Sequence, residues 1–375
     1  MPAGRMQDRL GPRRVATIGG ILVGLGMLMA GLMGNSHIGY VVGFGVLAGA
    51  GIGFGYASAT PPAVKWFPPA KTGLIAGIVV SGFGLASVYI VPLAEYLIVK
   101  IGLDNTVISL GIGFLVVVTV LAQFLRVPHK VKQLTQSLGP VGELKVAQAT
   151  PVKKENFTPT EVLKTWQFYL MWFLYACGAG AGLMVISIAK TLGMSFQPAQ
   201  VGGYAVMGLA IGNGAGRILA GMISDKIGRK HTLVIFFVLQ AVVVCLLPLV
   251  APGKPLGDAI VLIVVAALVG ANYGANLSLF PSFTKDYYGL KNFGVNYGLV
   301  FTAWGVGGFM LAQLAGWVQD TYKTFTYSYY FSAALLVVAA AATFILKAPH
   351  HHEPAPAPAD QAQAEKELAP AGKAS

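Results

Sequence analysis

NGAGRILAGMISDKIGRK, residues 213–230, decides how this chain is read. Its first half is an apolar run that carries an arginine, Arg217. Its second half is a charged turn, Gly221-x3-Asp225-Lys226-x-Gly228-Arg229-Lys230. The first 14 residues hold the same turn, Gly4-x3-Asp8-Arg9-x-Gly11-Pro12-Arg13-Arg14, with Asp8 and Asp225 217 positions apart. A repeated turn and a lone charge among apolar residues are the two facts from which the reading grows.

The residues around them are those of a polytopic membrane protein. Of 375 residues 55% are hydrophobic and 11% charged, with a mean hydropathy of +0.67. Apolar runs of about 20 residues match a bilayer core. Ten such spans are read, at 15–33, 38–60, 73–99, 106–126, 165–190, 200–222, 231–250, 257–280, 293–317 and 325–347. The abundant glycine, 48 residues, suits helices that approach closely in lipid. The net charge of +12 does not mark a nucleic-acid partner, because the basic residues sit in short loops between the spans. Loops on one side (1–14, 61–72, 126–164, 223–231, 284–292 and the tail from 347) hold 21 Lys and Arg; the other side holds 4. That asymmetry places both termini and the central loop in the cytoplasm, as for a multi-pass protein of a bacterial inner membrane.

The chain divides into a first helix bundle (1–126, four spans), a polar cytoplasmic linker (127–164), a six-helix bundle (165–347) and a Pro/Ala/Glu-rich disordered tail (348–375). The two bundles repeat. Phe67-Pro68 recurs as Phe280-Pro281, and glycines 73, 77, 82 and 84 are answered by 294, 298, 305 and 307. A parallel repeat of this size is the pattern of major facilitator architecture. The second turn has two spans before it and the first has none, so the expectation is a twelve-helix protein of which ten spans are read, the first two helices lacking.

Little in the spans could do chemistry. The six His lie in loops, at helix ends or in the tail, where His350–His352 read as a solvated tract. Cys177 and Cys245 read as small core residues without metal-ligand spacing. Glu95 is the acidic residue clearly inside a span, near its outer end beside Tyr96, where snorkelling to the interface is favoured over relaying protons. No enzyme, metal or cofactor is expected. Arg217 stands out, roughly 10 Å inside the cytoplasmic end of its span at 1.5 Å per residue. Burying it costs at least about 2.5–3.5 kcal/mol, so something must satisfy it. Either it faces a cavity and captures a carboxylate through its planar fork, or it reaches lipid phosphate or caps a helix carbonyl. Asn213, one turn earlier on the same face, could orient it or bind a substrate oxygen. Tyr56, Tyr273 and Trp304 sit among small residues, where a ring could enter a cavity or simply pack. The repeated turn suits a gate latch: its glycines let helices touch and its Asp can face a helix amino terminus.

The double turn resembles the signature loop of the major facilitator superfamily. The run 49–86, with GRILAGMISDKIGR and LFPSFTKDYYGLKNFGVNYGL, resembles the oxalate/formate antiporter family and its lactate-type monocarboxylate transporters. The resemblance implies a central anion site of Arg217, Asn213, Tyr56 and Tyr273. Leu277 stands where the family has an aromatic residue, and Trp304 where the oxalate-type member carries a lysine. One cation suits a monocarboxylate and two a dicarboxylate. The expectation is therefore a monomeric secondary transporter of lactate, pyruvate or a similar monoanion by alternating access, with proton symport or anion exchange. The alternatives are an oxalate/formate-type dicarboxylate antiporter, or a transport-incompetent fragment of such a transporter. The gating residues are Gly4, Asp8, Arg9, Gly11, Gly221, Asp225, Lys226, Gly228 and Arg229.

Overall fold

In the computed structural model every described element is helical, and the description covers residues 2–34, 36–67, 71–126, 156–196 and 200–349. The side chain of Asp8, most of the linker (127–155), Pro68 and the tail from His350 lie outside it. The helices are α1 (Pro2–Leu10), α2 (Pro12–Leu32), α3 (His37–Tyr40), α4 (Gly49–Trp66), α5 (Thr72–Ile101) and α6 (Leu103–Ala122). After the linker come α7 (Pro159–Val162), α8 (Trp166–Met194), α9 (Val201–Ile227), α10 (Arg229–Leu246), α11 (Ala259–Tyr288), α12 (Phe293–Tyr322) and α13 (Thr326–Thr343). The turns of Val41–Ala48 widen to π-helical spacing and join α3 to α4. Ten helical stretches among the described residues are long and apolar enough to cross a membrane, each overlapping one of the ten spans read in the sequence.

The sequence reading places several boundaries differently from the structure. Gly221–Ile227 is not a turn but the end of α9, because nothing in MISDKI interrupts the helical hydrogen bonds. The chain breaks at Gly228, whose φ of 88° only glycine adopts freely, and at its counterpart Gly11, with φ 80°. Likewise 284–292 is not all loop. The helix α11 continues through Lys285, which is 7% exposed, to Tyr288. Cys245 is exposed on α10, while Cys177 is buried in α8. Residues 156–164, the end of the segment read as linker, pack on the second bundle. There Phe157 is buried, donates its backbone N–H to the Tyr288 carbonyl (3.1 Å), and accepts through its own carbonyl from the Nδ2 atoms of Asn292 and Asn296 (both 3.0 Å).

Small residues set the helix spacing. Within the second bundle, α9 meets α11 backbone to backbone. A Cβ on Gly212 would strike the Ala267 carbonyl, one on Gly216 the Ala271 carbonyl, and one on Gly274 the Asn213 carbonyl. Between the bundles, α9 meets α5 the same way: Gly221 faces the Gly73 carbonyl and Gly77 faces the Arg217 carbonyl. The repeat shows here in three dimensions. Gly4, the counterpart of Gly221, abuts the carbonyl of Gly294, the counterpart of Gly73, so α1 meets α12 as α9 meets α5.

Gly212→Ala should therefore cost the detergent-solubilised protein about 1–3 kcal/mol, the usual penalty for overpacking, read as a lowered thermal midpoint. Gly113→Ala, whose methyl meets open space, should leave the midpoint unchanged or raise it. Equal midpoints for the two variants would contradict the close α9–α11 contact.

Candidate functional site

Arg217 reaches the interior because α9 is held on two sides by helices it touches through glycine. It is 3% exposed. Its Nε donates to Asn213 Oδ1 at 3.0 Å, and its Nη1 donates to the main-chain carbonyl of Val80, on α5 in the other bundle. Asn213 thus orients the guanidinium, one of the two roles open to it from the sequence. Both partners are neutral, and no carboxylate pairs with Arg217 among the described residues. A guanidinium has five N–H donors; two of these have acceptors here.

The aromatic candidates gather at the same place. Trp304 Nε1 donates to the Tyr273 hydroxyl at 2.9 Å. The Trp304 ring lies flat against Phe301 (5.3 Å between centroids, 8° between planes), and Phe301 stacks in turn on Tyr56 at 5.1 Å. Tyr56 also meets Phe83 at 5.0 Å, and its hydroxyl donates to the Leu277 carbonyl at 3.4 Å. At that position the main chain, not a side chain, faces the tyrosine. Val80, which accepts from Arg217, lies one turn before Phe83, and the Asn213 carbonyl abuts Gly274, the residue after Tyr273. All five residues named from the sequence therefore share one neighbourhood where α4, α5, α9, α11 and α12 converge.

Two tyrosines escaped the sequence reading. Tyr175 on α8 stacks on Phe280 (4.1 Å, 11°) and lies 6.1 Å from the Phe301 ring. Tyr297 on α12 stacks on Tyr56 at 6.4 Å and on Phe293 at 5.8 Å. Their buried hydroxyls have no partner in good hydrogen-bond geometry among the described residues. Tyr175 begins the stretch YACGAG, the same ring-among-small-residues signal that singled out Tyr56 and Tyr273. A cavity of about 280 Å³ runs from Tyr56, Tyr297 and Phe301 to Gly4, Phe293 and Gly294.

The residues read as a latch lie on the basic face. Asp225 Oδ1 accepts from the backbone N–H of Gly73 (3.1 Å) and Oδ2 from that of Leu74 (2.9 Å), so a carboxylate on α9 caps the amino end of α5. The first turn of a helix leaves such N–H groups unpaired and carries partial positive charge, so a carboxylate suits it. Arg229 holds the carboxylate in place, with Nη1 to Asp225 Oδ1 at 2.7 Å and Nε to Asp286 Oδ2 at 3.1 Å; Nη1 also donates to Ser224 Oγ. Lys226 and Arg9 are exposed. At the opposite face Glu95 on α5 pairs with Lys190 on α8 at 3.1 Å, both side chains 59% exposed. Glu95 is thus not simply a snorkelling side chain but half of a further contact between the bundles, on the opposite face from Asp225.

The family model of the Major Facilitator Superfamily matches residues 1–312, and again 182–374. The oxalate:formate antiporter of Oxalobacter formigenes is 29% identical over 303 residues, covering 80% of this chain and 67% of that protein. Apicoplast pyruvate carrier 1 of Toxoplasma gondii is 25% identical over 358 residues, covering 80% of this chain and 63% of that carrier. Among solved structures, the proton:xylose symporter XylE superposes with a TM-score of 0.69 at 13% identity, covering 92% of this chain and 82% of that one, which is a likeness of fold.

Asp225→Asn should loosen the cap, since a hydrogen bond to a charged group is worth about 1.5–3 kcal/mol and the amide offers one acceptor oxygen instead of two. With spin labels at Lys71→Cys and Lys226→Cys, in a background free of Cys177 and Cys245, the distance distribution should gain a longer component. An unchanged distribution would show that the cap does not hold α5 to α9.

Proposed function

The chain belongs to the Major Facilitator Superfamily, and we propose that within it this transporter carries small monocarboxylates of the lactate, pyruvate and formate kind. It does so by alternating access across the bacterial inner membrane, with both termini in the cytoplasm. Arg217 is the anchor for the substrate carboxylate. The observation that carries this reading is a buried guanidinium with neutral partners and unused donors, held between the α5 turn that meets Tyr56 and the α11 turn that carries Tyr273. A permanently charged planar fork in such a place is completed by a carboxylate. Asn213 fixes the fork, and the ring stack from Tyr56 to Trp304 walls the site.

Charge count favours a monoanion over oxalate. The position implied to hold a second cation is Trp304, whose indole N–H is already committed to Tyr273. The other buried cation among the described residues, Lys285, stands beside Asp286 at 3.5 Å near the basic face. The names of two relatives, one an oxalate:formate antiporter and one a pyruvate carrier, support a small carboxylate. Closure of the α5–α9 and α1–α12 contacts on the basic face is one end of the cycle. Proton symport and anion exchange are both compatible with a site that has no buried carboxylate among the described residues.

Uptake of labelled lactate into proteoliposomes tests the anchor. Arg217→Lys should lower transport by at least about tenfold, because an ammonium cannot reproduce a bidentate bond worth ~1.5–3 kcal/mol. Undiminished uptake would remove Arg217 from the site. Unlabelled pyruvate or formate should compete with lactate while oxalate does not, and Trp304→Lys should bring oxalate into competition. Oxalate competing equally with the unaltered protein would favour the dicarboxylate antiporter.

A further inference from the structure

We propose that the groove where α2 meets the end of α6 binds the phosphate headgroup of an anionic phospholipid. It is an open groove of about 610 Å³ lined by Leu10, Arg13, Arg14, Thr17, Ile18 and Gln123, on the basic face where these helices leave the membrane.

The internal repeat supplies a built-in comparison. Arg13 and Lys230 are each the second residue of the helix that follows a left-handed glycine, α2 and α10 respectively. Gln123 and Phe344 each directly follow the closing helix of their bundle, α6 and α13. In the second bundle the cation is consumed internally: Lys230 Nζ donates to the Phe344 carbonyl at 3.3 Å and so closes the end of α13. The first bundle is arranged otherwise. Arg13 Nε donates to Gln123 Oε1 at 2.7 Å, and Gln123 Nε2 donates to the Thr119 carbonyl (2.9 Å) and Thr17 Oγ1 (3.1 Å). Thr17 Oγ1 in turn donates to the Arg13 carbonyl at 2.9 Å.

This network fixes the glutamine amide and holds Arg13 through Nε, leaving both terminal nitrogens without an acceptor among the described residues. Arg14 beside it has no ion pair among those residues either. Arg229 on the same face, by contrast, has two carboxylates. Two planar guanidiniums without anions among the described residues, one of them pre-oriented, suit bidentate contact with pairs of oxygens on a tetrahedral phosphate. Leu10 and Ile18 supply apolar wall that a free phosphate would not use but the start of an acyl chain would. Basic residues at this depth attract anionic lipid by roughly 1 kcal/mol each.

The test titrates the full chain, purified in neutral detergent, with phosphatidylglycerol, phosphatidylcholine or glycerol 3-phosphate, and follows the thermal midpoint. Phosphatidylglycerol should raise it saturably and the other two should not. Arg13→Gln/Arg14→Gln should raise the half-saturating lipid concentration on the order of thirtyfold. Lys291→Gln/Lys347→Gln, which removes equal charge from the same face, should leave it unchanged. Equal loss in the lysine pair would mean bulk charge alone attracts the lipid. Equal stabilisation by glycerol 3-phosphate would mean a soluble-anion site, and by phosphatidylcholine no headgroup selection; each result overturns the proposal. If the glutamine pair does not fold, Arg13→Lys/Arg14→Lys keeps the charge and loses the fork. Weaker binding by this pair supports recognition by the arginines, and unchanged affinity refutes it.

Discussion

Backbone contact between α5 and α9 is the constraint on which the rest of the molecule depends. Gly73 and Gly77 on one helix face Gly221 and the Arg217 main chain on the other, with no side chain between them. That closeness lets Asp225 reach the first N–H groups of α5 and lets Arg217 reach a carbonyl of the opposite bundle. Both contacts need the two axes at a separation that a single methyl group would forbid. The Asp225 cap and the Arg217 bond are thus consequences of one interface, and Arg217 touches both bundles.

The hydrogen bond from Arg217 to Val80 bears on both readings that the sequence left open. Capping a helix carbonyl is what the guanidinium does here, and it does so across the bundle interface. A carbonyl is a neutral acceptor, so the charge stays uncompensated and the remaining donors stay unused. An anion entering beside Tyr56 and Tyr273 would compete for a guanidinium that also ties α5 to α9. Under the proposed function, substrate arrival and the strength of the inter-bundle contact would then be coupled through one side chain.

The positions of the spans were legible because a bilayer dictates about 20 apolar residues per crossing. Helix ends were less so. Lys285 looked like a loop cation, yet α11 carries it inward beside Asp286, and MISDKI looked like a turn because charge normally marks one. Arg217, Asn213, Tyr56, Tyr273 and Trp304 could be picked out because a polar or aromatic residue among glycines is conspicuous. Val80 could not, since its contribution is a carbonyl that any residue would supply. Tyr175 carried the same signal as Tyr56 and passed unmarked. The Glu95–Lys190 pair was hidden for another reason: its halves are 95 positions apart and meet only once the bundles are docked.

The receiving half of the Asp225 latch is main chain. A salt bridge between two side chains can be broken by substitution at either end, but N–H groups 73 and 74 have no side chain to lose. The amino end of α5 can therefore drift in sequence while the lock is kept, provided that the helix starts at the same residue and glycine stays where the backbones touch. What Asp225 recognises is the position of a helix end rather than the identity of a partner. Such a lock is indifferent to most mutations on one side and exacting on the other, and it senses a sliding of α5 of about 1.5 Å, one residue of helical rise.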